Sequence, residues 1–398
     1  MKITDIRTLC LSRQHEPDLE WFSHRFHVYK ADCPIIIIDT DAGIRGISEP
    51  STYGYPPYIR ERIEELKPSM IGRDVDDPDL VLPNEGRDPR GYDIVNAGID
   101  LALWDIRARA AGKRVADLLI EEIPGPARQP TERLRLYASA GVQYDWDDHP
   151  ESVVDEALSL AERGYTAYKM RIGTEWEWSG VTVDRLLALT GKVTEAVADR
   201  MELMLEGNCR LTEDQALEVG RWLDANGWIW FEEPLAVERD DCRRPRASDV
   251  EAYARLNAAL DIPITGGESN SMLKMFEPFF ENKAYAKGQL DVGVCSLTEA
   301  IRIWKRGQEC GVPVFTQNWH NGLLTVANAH FLAALPEPAV LEQFVGQGPL
   351  QWDILKERPI ENGYFNLPQG PGWGVELVDD VEERFPWIEG PWGVEVKR

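Results

Sequence analysis

Short apolar stretches alternate with amphipathic ones along most of the chain, and the pattern changes once, near residue 130. In the first part, residues 1–12 and 26–50 are typical of strands. Residues 96–111 then carry apolar side chains at the spacing of one helix face: Ile99, Leu103, Ile106 and Ala110. Strands followed by helices predict an α+β domain over residues 1–130.

After a Pro124-Gly125-Pro126 linker, short apolar strands alternate with longer helices. Strands are expected near Leu134–Ser139, Ala167–Arg171, Leu203–Glu206, Ile229–Glu232, Ile264–Gly267, Gln289–Asp291, Val312–Phe315 and Val340–Glu342. Helices are expected near 151–163, 182–199, 213–225, 249–259, 297–309 and 323–335. Three helix starts have capping-box spacing: Thr212 with Gln215, Ser248 with Glu251, and Ser296 with Glu299. The strand count predicts a (β/α) barrel; an open doubly wound sheet is the alternative, but no GxGxxG follows a strand.

Composition and charge exclude several classes of partner. The formal net charge of −25 argues against nucleic acid or an anionic membrane as a partner. No apolar run approaches 18 residues and the N-terminus has no signal-peptide pattern, so we expect a cytoplasmic protein. The six cysteines are scattered without a CxxC pair, which predicts reduced thiols.

Glutamates stand at the predicted carboxyl ends of three successive strands. In a parallel barrel these ends meet at one face, so Glu206, Glu232 and Glu268 are expected to converge. Three carboxylates at close range repel one another unless a cation lies between them. Oxygen ligands favour Mg²⁺, so the sequence predicts one Mg²⁺ per active site. The alternative is that each glutamate forms an ordinary surface ion pair.

Lys169 and Arg171 lie on the second predicted barrel strand with one residue between them, so their side chains share a face. Arg171 stays protonated, and we expect its charge to lower the pKa of Lys169 and make the amine a usable base. The alternative is a pair of solvent-facing cations on an edge strand, which a closed barrel lacks.

These groups together indicate one reaction. A proton next to a carboxylate is very weakly acidic, because its removal gives a dianionic enediolate. A metal stabilises that charge as it develops, and Lys169 accepts the proton. If protonated, Glu342 at the last strand end could donate a hydrogen bond to the substrate carboxylate. It could equally be an ordinary ion-paired glutamate.

An ordered set of motifs resembles the mandelate racemase-like branch of the enolase superfamily over nearly the whole chain. The motifs are Asn96–Arg107 (NAGIDLALWDIR), Lys169-Met170-Arg171, Leu205-Glu206-Gly207-Asn208, Phe231-Glu232-Glu233-Pro234, Gly266-Gly267-Glu268, Gln289-Leu290-Asp291 and Leu341-Glu342. Each motif alone is weak, whereas the ordered set is specific.

The resemblance implies an α+β cap (residues 1–130, to which 360–398 return) on a (β/α)₇β barrel (131–359). It implies that Mg²⁺ binds the three glutamates, that Lys169 is an acid–base group, and that Glu342 faces the substrate carboxylate. Substrate-binding positions implied by the family loops and motifs are Trp21, His24, Tyr53, Asn208 and Gln317. Relatives usually assemble into dimers or octamers, so a homo-oligomer is expected.

Two departures from the family pattern bear on the chemistry. Glu206 stands where relatives most often have Asp, which lengthens this ligand by one methylene. Relatives with an Asp–His dyad carry the histidine at the position that Gln317 occupies here. Asp291 is retained, and the nearest histidine is His320. Either His320 has taken the base role through a shifted loop, or the second base is absent.

That question decides the reaction. Racemisation needs a base on each face of the substrate, whereas dehydration needs one base and an acid that helps the β-hydroxyl leave. The resemblance to acid-sugar dehydratases favours dehydration of an aldonate or aldarate to a 2-keto-3-deoxy acid, a lyase reaction on a small carboxylate. The alternative within the superfamily is an isomerase: a sugar-acid lactone cycloisomerase or an epimerase.

Two other classes compete. A retaining glycosidase pairs two carboxylates about 5 Å apart without a metal. Glu232 with Glu268 could form such a pair, whereas the adjacent Glu232 and Glu233 point to opposite faces of a strand. A non-catalytic protein on an inherited barrel is the other possibility, since fold alone does not give function.

Overall fold

The computed structural model describes residues 1–23, 26–81, 93–144, 146–172, 180–238, 245–337, 340–346 and 348–395. The N-terminal elements are β1 (Ile3–Gln14), β2 (Trp21–Ser23), β3 (Phe26–Val28), β4 (Lys30–Thr40), β5 (Arg45–Ser48), a 3₁₀ turn (Thr52–Gly54), α1 (Pro56–Met70), α2 (Ile94–Ala111) and α3 (Val115–Glu122). β1, β4 and β5 form an antiparallel sheet with β4 in the middle. Helices α1 and α2 pack on this sheet, as the predicted α+β class requires.

The apolar run of β4 is buried on both faces of the sheet. Ile36 and Ile38 belong to a core shared with Ile99 of α2. Ile35 and Ile37 point the other way, into the large core that continues into the barrel. Successive side chains of a strand alternate between faces, so an unbroken isoleucine run marks a strand that is covered on both sides. The cap and the barrel are therefore joined by a continuous apolar core.

The barrel strands are β6 (Arg133–Ala140), β7 (Ala167–Arg171), β8 (Glu202–Glu206), β9 (Trp230–Glu232), β10 (Ile264–Gly266), β11 (Lys287–Leu290), β12 (Val314–Thr316) and β13 (Leu341–Phe344). The helices between them are α4 (Ser152–Glu162), α5 (Val183–Val197), α6 (Glu213–Ala225), α7 (Ala247–Ala259), α8 (Leu273–Glu281), α9 (Val292–Cys295), α10 (Leu297–Cys310) and α11 (Gly322–Ala334). From β6 to β12 each strand pairs in parallel with the next, and β13 returns to pair with β6. Among the described residues every connection between these strands carries a helix, which gives the (β/α)₇β order.

The strand register sets where the site side chains stand. Arg171 lies beside Glu206, and Glu206 lies beside Glu232, in adjoining parallel strands. Registered neighbours in a sheet project to the same face. Three predicted strand ends therefore meet at one side of the barrel mouth, as expected. Asp291, which was predicted to end a strand, instead caps α9, and its side chain accepts a hydrogen bond from the Gly293 N–H.

The three predicted capping boxes have different outcomes. The box between Thr212 and Gln215 is present in both directions. Ser296 accepts a hydrogen bond from the Glu299 N–H, but the Glu299 carboxylate accepts from the Leu273 N–H instead of closing the box. The Ser248 prediction is wrong, because α7 already begins at Ala247.

The C-terminal residues form α12 (Leu350–Asp353), β14 (Ile360–Glu361), β15 (Tyr364–Asn366), α13 (Val381–Arg384) and β16 (Gly393–Glu395). β15 pairs with the start of barrel strand β6, whereas β16 pairs with β3 of the cap. The Trp373 indole donates to the Ile47 carbonyl, 2.8 Å away, in the cap sheet. The segment thus first contacts the barrel and then the cap. The domain bounds at residues 130 and 360 stay predictions.

Two sequence predictions about the whole chain can be compared with the described residues. In that part of the chain no helix is both long enough and apolar enough to span a bilayer. The cysteines described are unpaired thiols: Cys10, Cys33, Cys209, Cys295 and Cys310. Cys242 lies outside the described residues.

Candidate metal and acid–base site

Three glutamates converge at the mouth of the barrel. One carboxylate oxygen from each of Glu206, Glu232 and Glu268 can be chosen so that all three lie within 4.8 Å of one another. Glu206 and Glu232 end their strands, and Glu268 follows β10 after Gly267. Gly267 has a φ of +118°, and a Cβ there would lie 2.3 Å from the Phe276 ring. The turn that presents Glu268 therefore requires glycine.

The electrostatics of this cluster favour a cation. Burial raises the pKa of Glu206 and of Glu232. Burial, with the neighbouring Glu233 and Glu232, raises the pKa of Glu268 to about 8. The cluster relieves its excess negative charge by retaining protons, and a divalent ion would relieve the same charge. Three carboxylate ligands match the oxygen donors that Mg²⁺ prefers, so the residues present fit this ion.

Lys169 lies inside the same cluster. Its Nζ is 2.5 Å from a carboxylate oxygen of Glu232, 2.9 Å from Glu342 and 3.5 Å from Glu206. The side chain is almost fully buried, and the ammonium also lies 5.5 Å from the centre of the Tyr137 ring. The amine is therefore held at the site by the groups around it.

The expected effect of Arg171 on Lys169 is wrong for this structure. Burial by itself lowers the pKa of Lys169, but the carboxylates of Glu232 and Glu342 outweigh it and raise the pKa well above its ordinary value. The Arg171 guanidinium instead lies over the Trp319 ring, 5.2 Å from its centre, at the barrel mouth. The sequence showed which side chains share a strand face, but not how many carboxylates surround the amine.

Glu342 faces the cluster as an acceptor. Burial raises its pKa, but the Lys169 ammonium and the Asn318 backbone N–H outweigh burial, and the net pKa lies below its ordinary value. The Asn318 N–H donates to Glu342 at 2.6 Å. The hydrogen-bond donor role expected of a protonated Glu342 is therefore not supported.

Asp291 and His320 form a buried pair on the other side of the site. His320 Nε2 lies 2.7 Å from Asp291 Oδ2, and neither side chain is exposed. Burial lowers the pKa of His320, but Asp291 outweighs it and the net pKa lies above the ordinary value of 6.5. Nδ1 of His320 has no partner within the described part of the chain. The structure thus brings together the two residues whose pairing the sequence left open.

Gln317, which the sequence analysis placed at the family position of the dyad histidine, lies at the glutamate cluster. It lines the cavity at the cluster together with Lys169, Arg171, Glu206 and Glu268. Tyr53 of the cap and Trp319 lie in the same wall. The Tyr53 and His320 rings pack edge to face with their centroids 5.7 Å apart, so a cap residue covers the Asp291–His320 pair.

The other predicted substrate-binding residues are Asn208, Trp21 and His24. The Asn208 N–H donates to Glu206 at 2.7 Å, and its backbone has a φ of +48°. Trp21 lines a neighbouring cavity, which it shares with Tyr53 and Trp319. His24 lies outside the described residues. Trp21 and Tyr53 therefore stand where a substrate could reach them, and Asn208 supports the Glu206 loop.

Sequence reasoning did not identify Glu49, which anchors the dyad loop. The Glu49 carboxylate accepts hydrogen bonds from the N–H groups of Asn321 and Leu324, at 3.0 and 2.9 Å. Its side chain is buried, so this contact ties a cap strand end to the turn that carries His320. The sequence signal that could have indicated Glu49 was a single acidic residue between strand β5 and Pro50.

Both the N-terminal and the C-terminal part of the chain match known protein families. Residues 152–381 match the family described as enolase C-terminal domain-like, and residues 23–119 match the mandelate racemase / muconate lactonizing enzyme N-terminal domain. The D-galactarolactone cycloisomerase of Agrobacterium fabrum is 29% identical over 97% of this chain and 99% of that protein. The arabinonate dehydratase of Saccharolobus solfataricus is 28% identical over 87% of this chain and 89% of that protein.

Solved structures show the same architecture. A member of the enolase superfamily from Polaromonas sp. JS666 has a TM-score of 0.80 and 27% identity, covering 98% of this chain and 99% of that one. The 3,6-anhydro-D-galactonate cycloisomerase of Zobellia galactanivorans has a TM-score of 0.78 and 24% identity, over 97% and 99% of the two chains. The second likeness is one of fold alone.

Proposed function

Because the chain belongs to the mandelate racemase / muconate lactonizing enzyme family of the enolase superfamily, we propose that it removes the proton next to the carboxylate of an acid sugar. The substrate is an aldonate or aldarate, and the product is a 2-keto-3-deoxy acid. The relatives named arabinonate dehydratase and D-galactonate dehydratase support this choice.

One observation carries the proposal. A buried lysine lies against a three-glutamate cluster, and a buried Asp–His pair stands at the end of another strand of the same barrel. Lys169 comes from the second strand and His320 follows the seventh, so the two groups approach a bound acid from different directions. Burying so many ionisable groups at one mouth costs free energy, which a purely structural barrel would avoid.

Glu206, Glu232 and Glu268 would hold Mg²⁺. When bound there, the ion would draw electron density from the substrate carboxylate and lower the free energy of the charge that develops as the proton leaves.

Lys169 and His320 divide the proton transfers. The charges of Glu232 and Glu206, which Mg²⁺ would neutralise, are among those that raise the pKa of Lys169, so the lysine would then act as a free amine. Lys169 takes the proton from C2, and the C2–H electrons form a double bond to C3 as the C3–O bond breaks. His320 gives its Nδ1 proton to the departing hydroxyl, which leaves as water, and Asp291 stabilises the imidazolium before transfer. The resulting enol becomes the 2-keto acid. Asp291 raises the pKa of His320, which favours the protonated form that this step needs.

A lactone cycloisomerase is the second candidate. Its support is the D-galactarolactone cycloisomerase relative and the presence of two separate acid–base groups. In that reaction the proton removed from one face is returned to carbon, and no water leaves. A metal-free glycosidase finds less support, because Lys169 forms an ion pair at 2.5 Å with Glu232, one of the two carboxylates that would have to act together.

The test is an acid-sugar library. The purified protein is incubated with Mg²⁺ and aldonic, uronic and aldaric acids, and each mixture is assayed for 2-keto acid. The expected result is one product-forming acid whose turnover stops with EDTA and in Lys169→Ala. Turnover that survives EDTA would contradict the proposal, and α-proton exchange without any keto acid would favour the cycloisomerase.

A further inference from the structure

The Glu232 carboxylate accepts more hydrogen bonds than its ion pair with Lys169 alone provides. Lys169 Nζ donates to Oε1 at 2.5 Å. The other oxygen, Oε2, accepts two further hydrogen bonds, from Gln289 Nε2 at 2.8 Å and from the Trp230 indole N–H at 3.2 Å. Glu232 is buried, so both oxygens are held by protein groups away from bulk water.

A count of acceptor positions leaves little room on Glu232 for an ion. An ionised carboxylate has about four such positions, two on each oxygen. Gln289 and Trp230 take both positions on Oε2, and Lys169 takes one on Oε1. The position that remains is on Oε1. A cation at the three-glutamate cluster can therefore reach Glu232 through one oxygen, unless it displaces a protein donor.

The two donors to Oε2 are themselves buried and fixed. Gln289 lies on β11 and Trp230 on β9, with β10 between them in the sheet. The Trp230 ring packs edge-on to Tyr137, with the ring centroids 5.3 Å apart. The side-chain oxygen of Gln289 has no partner in the described part of the chain. A buried amide that is satisfied on one side only costs free energy, which a side chain kept for packing alone would avoid.

Glu206 has a similar arrangement on a second predicted ligand. Its Oε1 accepts the Asn208 backbone N–H at 2.7 Å, whereas Oε2 lies 3.5 Å from the Lys169 ammonium. Asn208 has a φ of +48°, so this N–H is presented by a turn in the left-handed region. Two of the three cluster glutamates thus have one oxygen held by a neutral N–H donor of the protein.

This arrangement discriminates between divalent ions. Mg²⁺ demands near-ideal octahedral geometry, and the two oxygens of one carboxylate lie too close together to fill two octahedral positions. Ca²⁺ takes about six to eight oxygens and often binds a carboxylate through both of its oxygens. Bidentate binding by Glu232 would pull Oε2 away from Gln289 and Trp230 and leave two buried donors without an acceptor. That cost falls on Ca²⁺ and not on Mg²⁺.

We propose that Gln289 and Trp230 are positioning residues that restrict Glu232 to one coordinating oxygen and so select Mg²⁺ over Ca²⁺. The inference rests on the Mg²⁺ site of the function proposed above. Neither residue is a ligand, because both act through Oε2 of Glu232. Loss of either donor frees Oε2 and makes the site more accommodating to the larger ion.

Metal affinity in the absence of substrate tests this proposal. Protein stripped with EDTA and dialysed is melted at increasing Mg²⁺ or Ca²⁺, and the rise of Tm with ion concentration gives each Kd. The wild type is expected to bind Mg²⁺ at least about tenfold more tightly than Ca²⁺. Gln289→Leu should weaken Mg²⁺ binding about 10- to 100-fold, the range for residues that support a metal ligand. Ca²⁺ binding should fall less or rise, so the Ca²⁺/Mg²⁺ ratio of Kd values should drop at least about fivefold.

Two further variants separate selection from folding. Trp230→Phe keeps the ring but removes the N–H, and should lower the same ratio by a smaller factor, at least about twofold. Gln343→Leu is the matched control, because Gln343 is a buried glutamine of barrel strand β13 whose Oε1 accepts from the Tyr165 hydroxyl at 2.7 Å. This control should leave the ratio unchanged. If Gln289→Leu does not melt cooperatively, Trp230→Phe decides.

The outcomes distinguish two failures. A wild type that binds Ca²⁺ as tightly as Mg²⁺, a ratio that stays constant in both Gln289→Leu and Trp230→Phe, or an equal shift in Gln343→Leu overturns the selection and leaves the dehydratase proposal standing. The expected shifts together with no turnover of any acid sugar would support the selection and overturn the proposed function. A wild type that binds neither ion overturns both.

Discussion

The Nε2 atom of His320 lies 2.7 Å from Oδ2 of Asp291, with both side chains buried at the end of the barrel. The sequence left open whether His320, three residues beyond Gln317, pairs with Asp291. Glu49 and Gln351 hold this loop: Glu49 accepts from the Asn321 N–H, and Gln351 donates to the His320 carbonyl at 3.2 Å. These contacts hold His320 beside Asp291, and the pair is the second acid–base group of the proposed function.

We predict that His320→Asn separates the two proton transfers. Dehydration should fall about 10²- to 10⁴-fold, because the acid that assists the leaving hydroxyl is lost. Exchange of the α-proton by Lys169 should persist, and deuterium incorporation from D₂O measures it. Asp291→Asn should act in the same direction, since Asp291 stabilises the imidazolium. Wild-type dehydration rates in His320→Asn would exclude His320 as the acid.

Lys169→Met should destabilise the protein when Mg²⁺ is absent. The substitution leaves Glu206, Glu232 and Glu342 buried without their ammonium partner, which in other proteins costs about 3–5 kcal/mol. Urea unfolding measures the loss, and added Mg²⁺ should recover much of it. The control is Lys192→Met, whose exposed pair with Glu151 should matter by less than about 1 kcal/mol. Equal effects of the two variants would contradict a buried cluster.

Binding of Mg²⁺ should stabilise the fold. At 100 times its Kd a ligand that binds only the folded state adds about 2.7 kcal/mol, which a thermal melt detects. Glu268→Gln should weaken Mg²⁺ binding at least about tenfold, because one of three charged ligands becomes neutral. Glu281→Gln, on the surface of α8, is the matched control. Unchanged affinity in Glu268→Gln would remove Glu268 from the ligand set.

His330 should make folding sensitive to mild acid. Its Nδ1 accepts from the Ala116 N–H at 3.1 Å and its Nε2 lies 3.0 Å from the Trp373 carbonyl. Burial lowers its pKa from 6.5 to about 4. The stability from the neutral ring is therefore complete above pH 6.5 and is lost as the pH falls toward 4.

The expected loss between pH 7.5 and 5.5 is about 1.3 kcal/mol. It is measured as the difference in urea stability between wild type and His330→Gln at each pH, which cancels the other titrating groups. A wild-type-minus-variant difference that is constant with pH would contradict a buried neutral histidine.

The sequence predicted most of the fold because the relevant signals are local. The barrel strands and the helices between them alternate at regular spacing, and each predicted strand lies within a few residues of an observed one. The three metal-site glutamates followed from their strand ends alone, since parallel strands bring such ends together. The Ser248 cap failed because the helix begins at Ala247, two residues earlier than its spacing suggested.

The rest depends on which side chains meet across the molecule. The pKa of Lys169 is set by carboxylates from β8, β9 and β13, far apart in sequence. The Asp291–His320 pair joins two residues that lie 29 positions apart, and no motif in the sequence links them. Contacts of this kind are long-range and follow only from the packed structure.

The most direct measurement of the central claim is α-proton exchange in D₂O. The sugar acid that the library identifies is incubated with Mg²⁺ and enzyme, and deuterium in the recovered acid or its product is followed by NMR. We predict deuterium incorporation that requires Mg²⁺, stops with EDTA and is absent in Lys169→Ala. Undiminished exchange in Lys169→Ala, or exchange that does not depend on the metal, would contradict proton abstraction by Lys169 at this site.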